Sequence, residues 1–190
     1  MLDPYSAILS ALYQQQPDEA RRLADAAASL SIWEAAALGR DAAAARILDA
    51  DPALVNAWAA DGHLPVALAA FFGHASTVRL LLARGADVHA AARNDMKVQP
   101  LHAAVAGRNA EAVAAILERE ANPDARQQAG YTPLMGAAGA GRDDIADLLL
   151  ARGADPLLVN DEGKSAATIA EEHGHAALAL RLRARQASGG

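Results

Sequence analysis

The sequence predicts an all-α solenoid, in which short helix–turn–helix units stack in one row with loop or hairpin fingers projecting on one side. Three observations carry this reading. First, apolar residues make up 53% of the 190-residue chain and aromatics only 4%, and about a quarter of the chain is alanine. Alanine is the strongest helix former, since it loses no side-chain entropy and hides no polar group, so thin and closely packed helices suit this composition. Second, the segments GHASTVRLLLARGAD and GRDDIADLLLARGAD begin at Gly73 and Gly141, 68 residues apart. Third, an apolar anchor recurs at Ile32, Val66, Leu101, Leu134 and Ala167, at intervals of 34, 35, 33 and 33 residues. Such a period marks stacked units, none of which can bury its apolar face alone.

Composition also sets exclusions. With no cysteine, disulfides and thiolate metal sites are ruled out. A net charge of −6 argues against nucleic acid as a partner, because phosphate binding relies on clustered Lys and Arg. The first residues lack a basic stretch followed by an apolar core, so no secretory signal is expected. No apolar run reaches the length of a membrane span. The expectation is a soluble, monomeric, cytoplasmic protein.

Residues 1–30 are expected to form an N-terminal helical cap, a truncated repeat. SAILSALYQQ supplies its first helix with Ile8 as anchor. PDEARRLADAAA supplies the second, with Pro17 in the opening turn, where a missing N–H is harmless. Only 24 residues separate Ile8 from Ile32, too few for a full finger. Residues 31–185 are expected to form five units, giving six helix pairs in all. Pro65, Pro100 and Pro133 open first helices, and a glycine-containing pair then allows the tight turn. Second helices carry apolar residues at i, i+3 and i+4, as in Val78, Leu81, Leu82 and in Ile145, Leu148, Leu149. Gly85 and Gly153 cap them, and polar segments with Gly62, Gly130 and Gly163 near their ends follow as fingers.

The middle unit departs from its neighbours. Arg108 and Glu120 stand where the other copies have glycine, and Lys97 replaces the finger glycine. Its preceding finger is also longer by two, with 14 residues from Gly85 to Gln99 against 12 from Gly153 to Ser165. The segment HAAARNDMKVQ is therefore expected to project further or bend differently. The first unit lacks proline, and the last has Ala166 and Thr168 at the Pro and His positions, as outer units facing water often diverge. Residues 186–190 are expected to be disordered.

The run Gly130-Tyr131-Thr132-Pro133-Leu134, with Ala137, Ala138 and Gly141, resembles the ankyrin repeat, as does Pro100-Leu101-His102. The resemblance covers about residues 31–183 and looks like that of the small alanine-rich ankyrin proteins of bacteria. It implies an ankyrin-repeat solenoid that binds another protein through its concave face and fingers, without catalysis or cofactor. An inhibitor, immunity-type or stress-related accessory protein would use the same surface. An enzyme with an unrecognised site ranks third, since no Gly-rich phosphate loop, nucleophile elbow or zinc-protease motif occurs.

Mapped onto this chain, the implied surface includes Trp58, Asp61, His63, Phe71 and Phe72, then Met96 and Val98, then Gln128, Tyr131 and Lys164. Phe71 and Phe72 are the only phenylalanines. With Trp58, Met96, Val98 and Tyr131 they either form an exposed apolar strip or cover a gap beneath the long finger. Aromatics are enriched among binding hot spots, which favours the strip. Trp33 occupies a position the pattern gives to histidine and is expected to pack under the cap. The resemblance gives His102 the role of tying fingers together, while His74 and His175 read as turn-stabilising. His173 and His175 lack a third ligand, so no metal site is expected. Asp143 and Asp144 suit a helix N-terminus, and Arg181, Arg183 and Arg185 a C-terminal solvated face.

Overall fold

The computed structural model describes residues 6–188. Among them the chain forms twelve α-helices: α1 (Ala7–Tyr13), α2 (Pro17–Ala26), α3 (Ile32–Ala37), α4 (Asp41–Ala50), α5 (Pro65–Phe71), α6 (Ala75–Ala83), α7 (Pro100–Ala106), α8 (Ala110–Leu117), α9 (Pro133–Gly139), α10 (Asp143–Ala151), α11 (Ala166–Glu172) and α12 (Ala176–Ser188). Short 3-10 turns at Pro52–Asn56 and Gln128–Gly130 complete the regular structure. The expected all-α repeat stack is what forms. Helix α12 carries on to Ser188, so positions 186–188 of the tail expected to be disordered continue the helix. Positions 1–5 of the proposed cap and 189–190 of the tail lie outside the described residues.

Local chemistry sets the helix starts. Proline opens α2, α5, α7 and α9, where its missing N–H has no intrahelical partner to lose. Ser31 begins α3 with a reciprocal cap: its hydroxyl accepts from Glu34 N–H at 3.3 Å while Glu34 Oε2 accepts from Ser31 N–H at 2.7 Å. Thr132 and Ser165 accept likewise from the third helical residue of α9 and α11. Gln99 and Leu64 give α7 and α5 no such bond. Where the sequence replaces glycine, the backbone keeps glycine's geometry, with φ of +52° at Lys97, +54° at Arg108 and +59° at Glu120.

First helices α3, α5, α7, α9 and α11 pack in series as one layer, and second helices α4, α6, α8 and α10 form the other. The anchors Ile32, Val66, Leu101, Leu134 and Ala167 are each at most 1% exposed. Burying a side chain of Leu or Ile size contributes about 1.5–3 kcal/mol, so this repeating row is a main source of stability. Ala35, Ala69, Ala104, Ala138 and Ala170 are fully buried between layers, and their small size permits the close helix approach. The α1–α2 pair packs against the N-terminal face of α3 through Ile8, Leu9 and Ala11.

Turns and fingers also bond in series. The residue after each helix–helix turn reaches the preceding repeat: His74 Nε2 lies 3.0 Å from Ala37 O, Asn109 Nδ2 donates to Gly73 O at 2.8 Å, and Arg142 donates to Arg108 O. The His175 ring covers Gly141 so closely that a Cβ there would clash. In the fingers, Arg93, Gln128 and Asp161 donate N–H to Gly62, Met96 and Ala129 carbonyls at 2.9–3.0 Å. Three hairpins close across Ala59–His63, Gln127–Tyr131 and Asn160–Lys164, but the second finger closes across Ala92–Val98. Its two extra residues therefore lengthen the hairpin tip, as the count from Gly85 to Gln99 suggests. The C-terminal arginines do more than face water: Arg181 meets Asp143 and Asp147 of α10, and Arg183 meets Glu171 of α11. Being exposed, these pairs each contribute at most about 1 kcal/mol.

Candidate functional site

The anchor register determines what the first-helix layer presents. Five residues beyond the anchors Ile8, Ile32, Val66, Leu101 and Leu134 stand Tyr13, Ala37, Phe71, Ala106 and Gly139. Tyr13 and Phe71 lie two units apart with alanine between them. Across that gap the Tyr13 ring packs on Ala37 and Leu68 and comes within 6.2 Å of the Phe71 centroid and 5.4 Å of Phe72. The two phenylalanines meet edge to face at 5.1 Å, a favoured quadrupole arrangement. The Tyr13 hydroxyl donates to Asp61 Oδ2 at 2.9 Å, tying α1 to the first finger.

Beyond Phe71 the row turns small, and a groove of about 530 Å³ opens between the first-helix layer and the fingers. Phe71 and Tyr13 line one end, Met96 and Val98 the long finger's side, and Ala106 and Gly136 are part of its small-residue lining. Phe71 is 42% and Met96 51% exposed, a large apolar surface left to solvent.

Of the residues singled out in sequence, His63, Phe71, Met96 and Val98 line this groove. Asp61 is spent on Tyr13 and on its own turn, accepting from His63 N–H at 2.9 Å. Phe72 is half-buried against Tyr13 and Leu68, toward the N-terminal helices and not under the long finger. Trp58 packs on the core with the Arg93 guanidinium 4.4 Å over its ring, a cation–π contact away from the groove. Tyr131 is half-buried on the core, and Gln128 serves the finger ladder through its backbone. Lys164 pairs with Glu162 at 3.2 Å and Glu172 at 2.9 Å. The six-residue apolar strip is thus divided, and only Phe71, Met96 and Val98 of it converge. Tyr13, Asn94, Arg108 and Gln127 line the groove without having been singled out as contacts. No motif marks Tyr13, and its register with Phe71 shows only once the helices are stacked.

His102, also in the groove lining, is 6% exposed, and its Nε2 lies 3.0 Å from Ala125 O and 3.3 Å from Tyr131 O. Both partners are carbonyls, so Nε2 carries the proton and the ring ties α7 to the following finger. Nδ1 is then a buried acceptor without a donor. Desolvation is the main cause holding the His102 pKa below its ordinary 6.5, against the raising effect of the two carbonyl bonds. Trp33 does the corresponding work one unit in, donating Nε1–H to Ala57 O at 2.9 Å while packing beside Leu9. Among the described residues no cluster of His, Cys, Asp or Glu could hold a metal ion. Nor is any described helix long and apolar enough to cross a membrane.

A family model described as ankyrin repeats (3 copies) matches residues 32–127, and one described as ankyrin repeats (many copies) matches residues 116–170. The neurogenic locus notch homolog protein 2 of Homo sapiens is 40% identical over 107 residues, which is 55% of this chain and 4% of that protein. Ankyrin repeat and KH domain-containing protein 1 of Homo sapiens is 41% identical over 68 residues, 35% of this chain and 3% of that protein. The ankyrin repeat and KH domain-containing protein mask of Drosophila melanogaster is 39% identical over 80 residues, 41% of this chain and 2% of that protein. The chain thus spans only a few per cent of the length of these relatives. Since the 3-copy model alone matches half the chain and its span coincides with stacked helix pairs and serially bonded fingers, the chain belongs to the ankyrin repeat family.

Proposed function

We propose that this chain is a non-catalytic protein–protein interaction module that holds a partner protein on its concave side, between the fingers and the first-helix layer. The observation that carries this is the apolar groove beside Phe71, where Met96 and Val98 of the longest finger face small residues of α7 and α9. An exposed aromatic next to unfilled apolar surface is the composition of a binding hot spot. Relatives that carry the same repeats within far longer proteins agree with a modular role. The nearby polar groups are engaged in structure: Asp61 with Tyr13, His102 with two carbonyls, Lys164 with two glutamates. No nucleophile–base pair is left for catalysis in this reading. A monomer acting in the cytoplasm, without nucleic acid, belongs to the same proposal.

The test is affinity capture from the native host with wild type and Phe71→Ala, followed by titration of the recovered partner. Because Phe71 is substantially exposed, its truncation should leave folding intact and weaken binding by at least about tenfold. Recovery of the same partner at unchanged affinity would overturn the proposal.

A further inference from the structure

Charge around the groove narrows the chemistry of what fills it. Arg108 is the one fully charged residue among those lining it. No Asp or Glu among the described residues lies within ion-pair distance of Arg108, whereas Arg79, Arg84, Arg142 and Arg181 each meet a carboxylate. Its backbone is also unusual. The equivalent turn positions are Gly39, Gly73, Gly141 and Gly174, with φ between +64° and +83°. Arg108 adopts φ +54° there, a left-handed conformation in which a Cβ costs stability. The turn is held regardless of this side chain, because Arg142 bonds the Arg108 carbonyl. A costly arginine, exposed and unpaired at the edge of an apolar groove, has no structural task that glycine would not perform better.

Lys97 stands between the lining residues Met96 and Val98 at the tip of the long finger, with φ +52° and no ion pair among the described residues. Of the acidic residues nearby in sequence, Asp61 is engaged with Tyr13 and His63, and Asp95 does not line the groove, nor does Lys97. The one formal charge lining the groove is therefore positive, in a chain of net charge −6.

We infer that the groove takes a peptide segment of the partner in which a bulky apolar side chain stands beside a carboxylate, the apolar group packing on Phe71 and Met96 and the carboxylate pairing with Arg108. This rests on the proposed interaction function and adds the partner's chemistry. A charge-assisted guanidinium–carboxylate bond at the edge of an apolar surface is stronger than one in open water. A basic segment would meet Arg108 with like charge.

The experiment selects random 12-residue peptides displayed on phage against the immobilised full chain, then titrates the enriched peptides by fluorescence anisotropy. Enriched sequences should place Asp or Glu next to Leu, Phe or Trp. Changing that acid to its amide should weaken binding to wild type about tenfold. On Arg108→Gln the acid and amide peptides should bind within about twofold of each other. Arg108→Gly should lose the acid preference as well while melting about 1–4 °C higher, which separates recognition from folding. An acid preference that persists in Arg108→Gln, or enrichment of peptides lacking acids, or of none, overturns the inference. Peptides that need Phe71 but ignore Arg108 refute only this inference, whereas acidic peptides that bind Phe71→Ala at full affinity place the site elsewhere and refute the proposed function.

Discussion

Replacing Gln99 with threonine should stabilise the protein, because two defects of α7 share one remedy. Gln99 is the N-cap of α7 and gives no side-chain cap bond. Three residues on, the Nδ1 of His102 is buried without a donor. Elsewhere in this chain one hydroxyl serves both ends of that geometry. Ser31 Oγ accepts from Glu34 N–H and donates to Glu34 Oε2 at 2.9 Å, and Ser165 Oγ accepts from Thr168 N–H and lies 3.3 Å from Thr168 Oγ1. A threonine hydroxyl at position 99 would accept from the His102 N–H and donate to Nδ1, the ring nitrogen left free while Nε2 is bonded to Ala125 and Tyr131. An N-cap hydroxyl contributes about 1 kcal/mol and a satisfied buried acceptor a comparable amount, so the gain should be roughly 1–2 kcal/mol. For a chain of this length that is about 3–6 °C in melting temperature. Urea denaturation at pH 7.5 measures it, with Gln99→Val as the control that matches threonine's shape but carries no hydroxyl. Equal stabilities for the Thr and Val variants would refute the reasoning.

Neighbouring substitutions in the same turn should have opposite signs. Arg108→Gly relieves a left-handed residue and should stabilise by about 0.5–1 kcal/mol, whereas Gly107→Ala pushes a Cβ into the Ala70 and Phe71 carbonyl oxygens and should cost more than about 2 kcal/mol. Denaturant midpoints compare the pair, and a stabilising Gly107→Ala would contradict the packing described. Tyr13→Phe removes the bond to Asp61 and should cost about 0.5–1.5 kcal/mol, felt first as faster amide exchange in α1 and α2. Exchange accelerated equally in α9 and α10 would show that the N-terminal pair does not open by itself. Stability should also fall on mild acidification. Burial holds the His102 and His74 pKa values below the ordinary 6.5 in the fold, so the unfolded chain binds more protons below that value. The stabilisation is complete above pH 6.5 and is lost as pH falls through the depressed folded-state values. His102→Gln should flatten that slope in a series of urea titrations between pH 5 and pH 8.

What the sequence determined by itself is whatever repeats locally. The anchor spacing from Ile32 to Ala167, the prolines at first-helix starts and the apolar triplets of α6 and α10 are enough to define the stack, because each unit's interface copies the next. The two additional residues before Gln99 and the missing glycines at Lys97, Arg108 and Glu120 were legible too, since a broken pattern shows against its own repeats, and the backbone keeps the left-handed turn at each. Only the tertiary structure decided which side chains meet across units. Tyr13 reaches Phe71 and Phe72 because Ala37 between them is small and no finger follows the N-terminal pair, a register that the 24-residue step from Ile8 to Ile32 does not define. Trp58 leaves the expected strip because Arg93, one finger on, covers its ring. The groove itself exists because Ala106, one unit beyond Phe71 in the same row, and Gly136 of α9 are small, so an absence of side chains becomes a site only once the helices are stacked.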